Sequence, residues 1–292
     1  MSVERTIGIK PARIAVQELD KSFDGKYLCC WNSFIHCETW AYNVYSKSFS
    51  QNKKIICAET PYIGREYFDT QGQRPLDTVY VRVGWGDVST YHPKHFNIKK
   101  QYSPLRLEGI LKNQNKEMEK EWRSSGDHIL FPMQVPNDSS LRGIDIWAAA
   151  QYDLIKLRQN TDRKIIITLH PDIKKGWGQT RFNQSKQHFD NFKKVADTVG
   201  ATISDKPSKQ LLQNCWCVVT YTSGFSFDAI IRGIPVITIN NRSFAAPISS
   251  NFIEEIEDPK LGNRIDWLSN VAYCEWSVEE IKQGKCRDHL LS

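Results

Sequence analysis

The 292-residue sequence opens without a basic segment followed by an apolar run (MSVERTIGIKPARIAV), so no secretory leader is expected at this end. No later stretch approaches the roughly 18 uncharged apolar residues of a membrane span, which predicts a soluble protein. A CxxC pair is also missing. The eight cysteines (29, 30, 37, 57, 215, 217, 274 and 286) fall largely inside apolar strand-like runs. Reduced, buried thiols in a cytoplasm are therefore expected rather than a disulfide framework or a zinc site. G-x-S-x-G, P-loop and G-x-G-x-x-G motifs are absent, which argues against serine hydrolases, NTPases and dinucleotide enzymes. There is no D-x-D to hold a metal-bound diphosphate, and His92-Pro93-Lys94-His95 has no neighbouring ligands and reads as a polar loop. Neither an internal repeat nor a low-complexity tract occurs.

What is present is a globular composition, 40% hydrophobic and 11% aromatic, in a chain long enough for two domains. The net charge is +6 and unevenly spread. Residues 153–194 carry ten Lys/Arg against four Asp/Glu, whereas 250–292 carry nine acids against five bases. A polyanionic partner would suit the basic middle, and so would a solvated helix face.

Short runs rich in β-branched and aromatic residues predict strands over 13–19, 27–31, 54–59 and 78–85, with a helix from Asn32-Ser33 to about Ser48. That alternation predicts a parallel α/β layer. The run 112–123 (KNQNKEMEKEWR) reads as a solvated helix or linker and sets the expected boundary. Beyond it the pattern predicts strands at 128–134, 164–169, 201–204, 218–221 and 236–239. Helices are predicted at 144–159 and 185–199, with a short one at 208–213. Two or three further helices are expected after Asn251. The expected domains are 1–122, 123–250 and a helical segment 251–292.

Three polar features follow strands in the second half, where open α/β sheets place ligands. Gln134-Val-Pro-Asn-Asp138-Ser139-Ser140 follows the first strand, and an Asx or Ser turn would give the same pattern. His170-Pro171 closes the next one. Thr222-Ser223-Gly224 opens a helix with Asp228 one turn in, an arrangement that suits an anion and that plain N-capping also produces.

The order Q-x-x-x-D-S, strand-His-Pro, then S-G-x-x-x-D-A-hydrophobic-x-x-G-x-P-V resembles the capsule polysaccharide biosynthesis group of GT-B glycosyltransferases, which includes Kdo transferases. It is also similar to phage relatives that put sugars on modified DNA bases. The resemblance covers about residues 126–245 well and the N-terminal half loosely. It implies an α/β, GT-B-like fold of two Rossmann-like domains facing a cleft, with C-terminal helices. It further implies a nucleotide-sugar donor whose phosphate meets His170 and the Thr222-Ser223-Gly224 helix start and whose nucleotide meets Asp228, with Gln134, Asp138 and Ser139 lining the same cleft. The missing D-x-D leads to the expectation that neither a metal nor another cofactor is required.

The resemblance also implies a catalytic acid at the end of an N-terminal strand, in a stretch like E-D-G-[FW]-[IL]-R. Here Cys57-Ala58-Glu59-Thr60-Pro61-Tyr62-Ile63-Gly64-Arg65 departs from it, because the second acid and its glycine are missing or shifted. Glu59 is the first choice for the base and Asp87 its rival, while pairing of Glu59 with Arg65 is the structural alternative. Short length, lack of an amphipathic membrane segment and the basic middle favour a DNA acceptor. Within that class the resemblance implies a phage enzyme acting on hydroxymethylated cytosine, with arabinose or glucose as the sugar. Such an enzyme works in the host cytoplasm, and Trp85, Tyr91 and Trp177 are its candidate stacking groups. The alternatives are transfer to a capsule or lipid-linked glycan, and a non-catalytic nucleic-acid-binding protein on a degenerate transferase fold.

Overall fold

A computed structural model describes residues 10–31, 46–66, 75–86, 102–136, 138–170, 173, 186–239 and 241–292. In chain order its strands are β1 (Leu28–Trp31), β2 (Ile55–Glu59), β3 (Tyr80–Trp85), β4 (His128–Pro132), β5 (Lys164–Thr168), β6 (Thr202–Ser204), β7 (Cys215–Thr220), β8 (Val236–Thr238) and β9 (Glu275–Ser277). Two compact units result, one of Met1–Glu117 with Ile265–Ser292 and one of Met118–Arg264.

In the first unit the strand order is β1-β2-β3-β9. Only β1 and β2 run parallel; β3 is antiparallel to both β2 and β9, so the parallel layer expected here is corrected to a mixed sheet. Residues 13–19 are not a strand but part of a helix, Lys10–Ser22. The β-branched look of Arg-Ile-Ala-Val is outweighed by helical spacing, for Ala12, Ala15, Leu19 and Phe23 all lie buried on one side. They pack with Ile56, Val81, Trp276 and Ile281. The helix expected over 32–48 falls mostly outside the described residues, of which 46–50 are helical. After β9, Ser277 caps the Val278–Lys282 helix with a reciprocal Glu280 bond. Arg106 clamps that helix through both carboxylate oxygens of Glu280, at 2.6 and 2.9 Å.

The second unit is the clearer α/β layer. All five strands are parallel, in the order β6-β5-β4-β7-β8. The chain winds outward from β4 to β6, then returns to β7 on the other side of β4, which makes the gap between β4 and β7 a topological switch point. Helices Ile146–Asn160 and Lys186–Thr198 bury Trp147, Ala150, Leu154, Leu157, Phe192 and Ala196 against the sheet. Asp145 starts the first of them by accepting from the N–H groups of Trp147 and Ala148 at 3.0 and 3.1 Å.

The run expected as a solvated helix or linker is instead a strap. The helix Leu105–Asn113 ends before it, and Glu119 N–H then donates to Ile231 O, Arg123 N–H to Gly233 O and Trp122 Nε1 to Gly262 O. Arg264 ties the same segment down by donating to the carbonyls of Glu119, Lys120 and Ile230 while lying over the Trp122 ring. Gly233 permits this approach. Its φ of +69° ends the Phe225–Ile231 helix, and a Cβ there would stand 2.3 Å from Glu121 O.

Candidate functional site

The switch point is filled by a polar network. Gln134, two residues past β4, directs its carbonyl Oε1 at Thr222, two residues past β7, and accepts the Thr222 N–H at 2.9 Å. The Gln134 amide nitrogen donates to Thr222 Oγ1 at 3.1 Å and to Ser140 Oγ at 3.3 Å. Ser140 and Thr222 share a hydroxyl contact of 2.7 Å. Asp138 Oδ1 accepts the Ser140 N–H at 2.9 Å and its hydroxyl at 2.6 Å. Thus the loop after β4 and the turn after β7 are sewn together by side chains that the sequence separates by 88 positions.

Gln134 and Thr222 are buried, so each lost partner would leave a desolvated polar group. Their mutual bonds hold the loop after β4 against the turn after β7. Asp138 makes the Asx-type turn that was the plain alternative for this loop. Ser139 begins the short 3-10 turn Ser139–Leu141 beside it.

Ser223 Oγ accepts from Phe225 N–H at 3.2 Å and starts the Phe225–Ile231 helix. With seven residues that helix has a modest dipole; what it presents locally is backbone. Gly224 has helical φ and ψ, and Asp228 sits half-buried in the first turn. On the neighbouring strand, His170 stands two residues beyond β5, where its carbonyl accepts from Ile173 N–H at 3.0 Å. Met133 N–H donates to Thr168 O at 2.8 Å, which binds the ends of β4 and β5 together. The second-unit candidates therefore all follow the carboxyl ends of adjacent parallel strands.

Glu59 belongs to the other unit. It ends β2, half-buried, and its Oε1 accepts both the N–H and the hydroxyl of Thr60, at 2.8 and 3.1 Å. Its Oε2 has no bonded partner among the described residues. The residue that sequence reasoning missed is Glu275. Fully buried in β9, it receives the N–H groups of Tyr62 (2.5 Å), Ile63 (2.9 Å) and Gly64 (2.8 Å), and so shapes the turn that follows Glu59. Burial pushes the Glu275 carboxyl above its ordinary range, against the pull of those N–H groups and of Arg82. No local signal in Glu-Trp-Ser announces this role, since the turn lies more than 200 residues away.

Asp87, Tyr91, Trp177, His92 and His95 lie outside the described residues. Trp85 packs edge-on against Tyr27, with ring centroids 5.3 Å apart, as part of the first unit's core. The seven described cysteines are free thiols, and burial raises Cys215 to about 12. No helix among the described residues is long and apolar enough to cross a membrane.

A parallel five-stranded unit with a switch-point network, joined in one chain to a mixed-sheet unit, defines a class: the fold is that of a glycosyltransferase. More narrowly, the chain belongs to the capsule polysaccharide biosynthesis protein family, whose model matches residues 85–247. Among solved structures it is similar to the β-Kdo 2,7 transferase of KpsC from Thermosulfurimonas dismutans, with 16% identity and a TM-score of 0.53 over 93% of this chain and 88% of that one. The β-Kdo 2,4 transferase of KpsC from the same organism is similar at 14% identity and a TM-score of 0.54, over 85% of this chain and 79% of that one. No curated protein matches the chain.

Proposed function

We propose that the protein transfers a sugar from a nucleotide-sugar donor held by the second unit to an acceptor hydroxyl deprotonated by Glu59. The observation that carries the donor assignment is the Gln134–Thr222–Ser140 network at the switch point, because it fixes the Thr222-Ser223-Gly224 turn beside the loop after β4. On this reading the donor's phosphate lies on the Ser223-Gly224 backbone and hydroxyls with His170 beside it, and Asp228 accepts from ribose hydroxyls. As the acceptor oxygen bonds to the anomeric carbon, its proton passes to Glu59 Oε2 and the carbon–phosphate oxygen bond breaks, its electron pair leaving with the phosphate.

For the acceptor, family membership and the two Kdo-transferase folds support a hydroxyl of a capsule or lipid-linked glycan, with a Kdo-type sugar. A second reading, hydroxymethylcytosine in phage DNA receiving arabinose or glucose, is favoured by the net charge of +6 and the excess of bases over 153–194. The test is to incubate the protein with a panel of nucleotide sugars, offering glycan acceptors in one arm and hydroxymethylated DNA in the other, and to follow product mass. A mass gain confined to glycan supports the first reading and one confined to nucleosides the second. DNA binding without transfer from any donor would point to a non-catalytic module.

A further inference from the structure

Beside the network lies a pocket of about 600 Å³, within the size range of small-molecule sites, that none of the sequence motifs accounts for. It is walled by the same two segments. Tyr221 immediately precedes Thr222, and Ile144, whose N–H donates to Leu141 O, ends the loop that carries Asp138 and Ser140. Its apolar walls include Ile239, and two of its aromatic side chains are largely exposed, Tyr152 at 67% and Phe252 at 63%. Exposed aromatic rings at the mouth of a pocket are surfaces on which a planar ring can stack.

The pocket also contains a directed polar pair. Asp153 is only 7% exposed; its Oδ2 accepts the Tyr221 hydroxyl, and its Oδ1 has no bonded partner among the described residues. Burial raises the Asp153 carboxyl above its ordinary range, with the Tyr221 hydroxyl and Lys156 pulling the other way. Such an acceptor is favoured by a ligand that brings it an N–H. Near it, Asn251 Oδ1 accepts the Thr238 hydroxyl at 3.0 Å, which leaves the amide nitrogen as a donor for the pocket it lines. An acceptor and a donor below stacking surfaces match the edge of a heterocycle that presents an amino group beside a ring nitrogen or carbonyl.

We propose that this pocket binds a nucleobase carrying an exocyclic amino group, read by Asp153 and Asn251 and stacked on Tyr152 and Phe252. The inference rests on the nucleotide-sugar reading above for one of its two possible sources, the base of the donor. The other is a base swung out of a DNA strand. A carbonyl in place of the amino group would set two acceptors against each other at Asp153, so the site discriminates by repulsion as well as by bonding.

The experiment is calorimetric titration with CMP against UMP and AMP against IMP, pairs in which an amino group is exchanged for a carbonyl. A parallel arm uses single-stranded oligonucleotides containing cytosine or uracil. The wild type is expected to prefer the amino members by about tenfold or more. Asp153→Asn should abolish that preference. Tyr152→Ala, at an exposed position that folding does not need, should weaken both members of a pair about fivefold with the ratio kept. A preference seen only with free nucleotides assigns the pocket to the donor's base, and one seen only with oligonucleotides assigns it to a swung-out base. Nucleotide binding with no amino preference, or a preference that Asp153→Asn retains, overturns the proposal and leaves the donor reading standing. No binding of either ligand by the wild type overturns both.

Discussion

Gln134 Oε1 accepts the backbone N–H of Thr222 at 2.9 Å, across the gap where the strand order of the second sheet reverses. One amide side chain thereby fixes the relative position of the two segments that flank the switch point. Gln134→Ala strands the Thr222 N–H in a buried setting, at a cost of about 1–3 kcal/mol. The expected outcome is a lower denaturation midpoint together with weaker nucleotide binding. Unchanged nucleotide affinity in a destabilised protein would confine Gln134 to folding.

His170→Ala removes a side chain from the end of β5 without opening a buried core. Sugar transfer should fall at least tenfold while the melting curve stays within about 0.5 kcal/mol of the wild type. Steady-state kinetics with a circular-dichroism melt checks both halves, and a wild-type rate removes His170 from the site.

Glu59→Gln keeps shape and loses basicity. Turnover should drop by about a hundredfold, within the usual range for a general base, with donor affinity little changed. If activity survives, the same measurement on Asp87→Asn decides whether the rival carboxylate is the base.

Glu275→Ala empties the cage made by the N–H groups of residues 62–64 and leaves the buried Arg82 without its neighbour carboxylate. Removing one partner of such a buried charged arrangement costs about 3–5 kcal/mol. Urea unfolding should show that loss. In a protein still folded, turnover should fall as well, because the turn after Glu59 is no longer held.

Asp145 links pH to stability. Burial alone would raise its pKa, but the His188 ring at 2.5 Å and the N–H groups of Ala148 and Trp147 outweigh burial and hold it below the ordinary range. A depressed carboxylate contributes stability above its unfolded pKa and loses it as pH falls through the folded value. The second unit should therefore weaken below about pH 4, and Asp145→Ala should flatten that acid limb while costing about 1 kcal/mol at neutral pH through the lost helix cap. An unaltered acid limb in this variant would rule the linkage out.

The sequence by itself determined the second unit. Continuous apolar runs such as Lys164–Thr168 and Cys215–Thr220, separated by helical stripes and closed by Gly233, can be satisfied by little other than a parallel sheet covered by helices. It also marked the rim, since Gln134, Asp138, His170 and Thr222 each follow such a run. The tertiary structure alone decided which of these touch: Gln134 and Thr222 come together because β7 lies beside β4, a consequence of winding that no local pattern contains. It decided the first unit too. There the apolar stripe of the helix at Lys10–Ser22 finds its partners in Ile56, Val81, Trp276 and Ile281, far along the chain, and β9 joins β3 from the far end of the chain. The cage around Glu275 has the same origin, because burial makes a carboxylate seek every N–H within reach, and the fold chooses which ones those are.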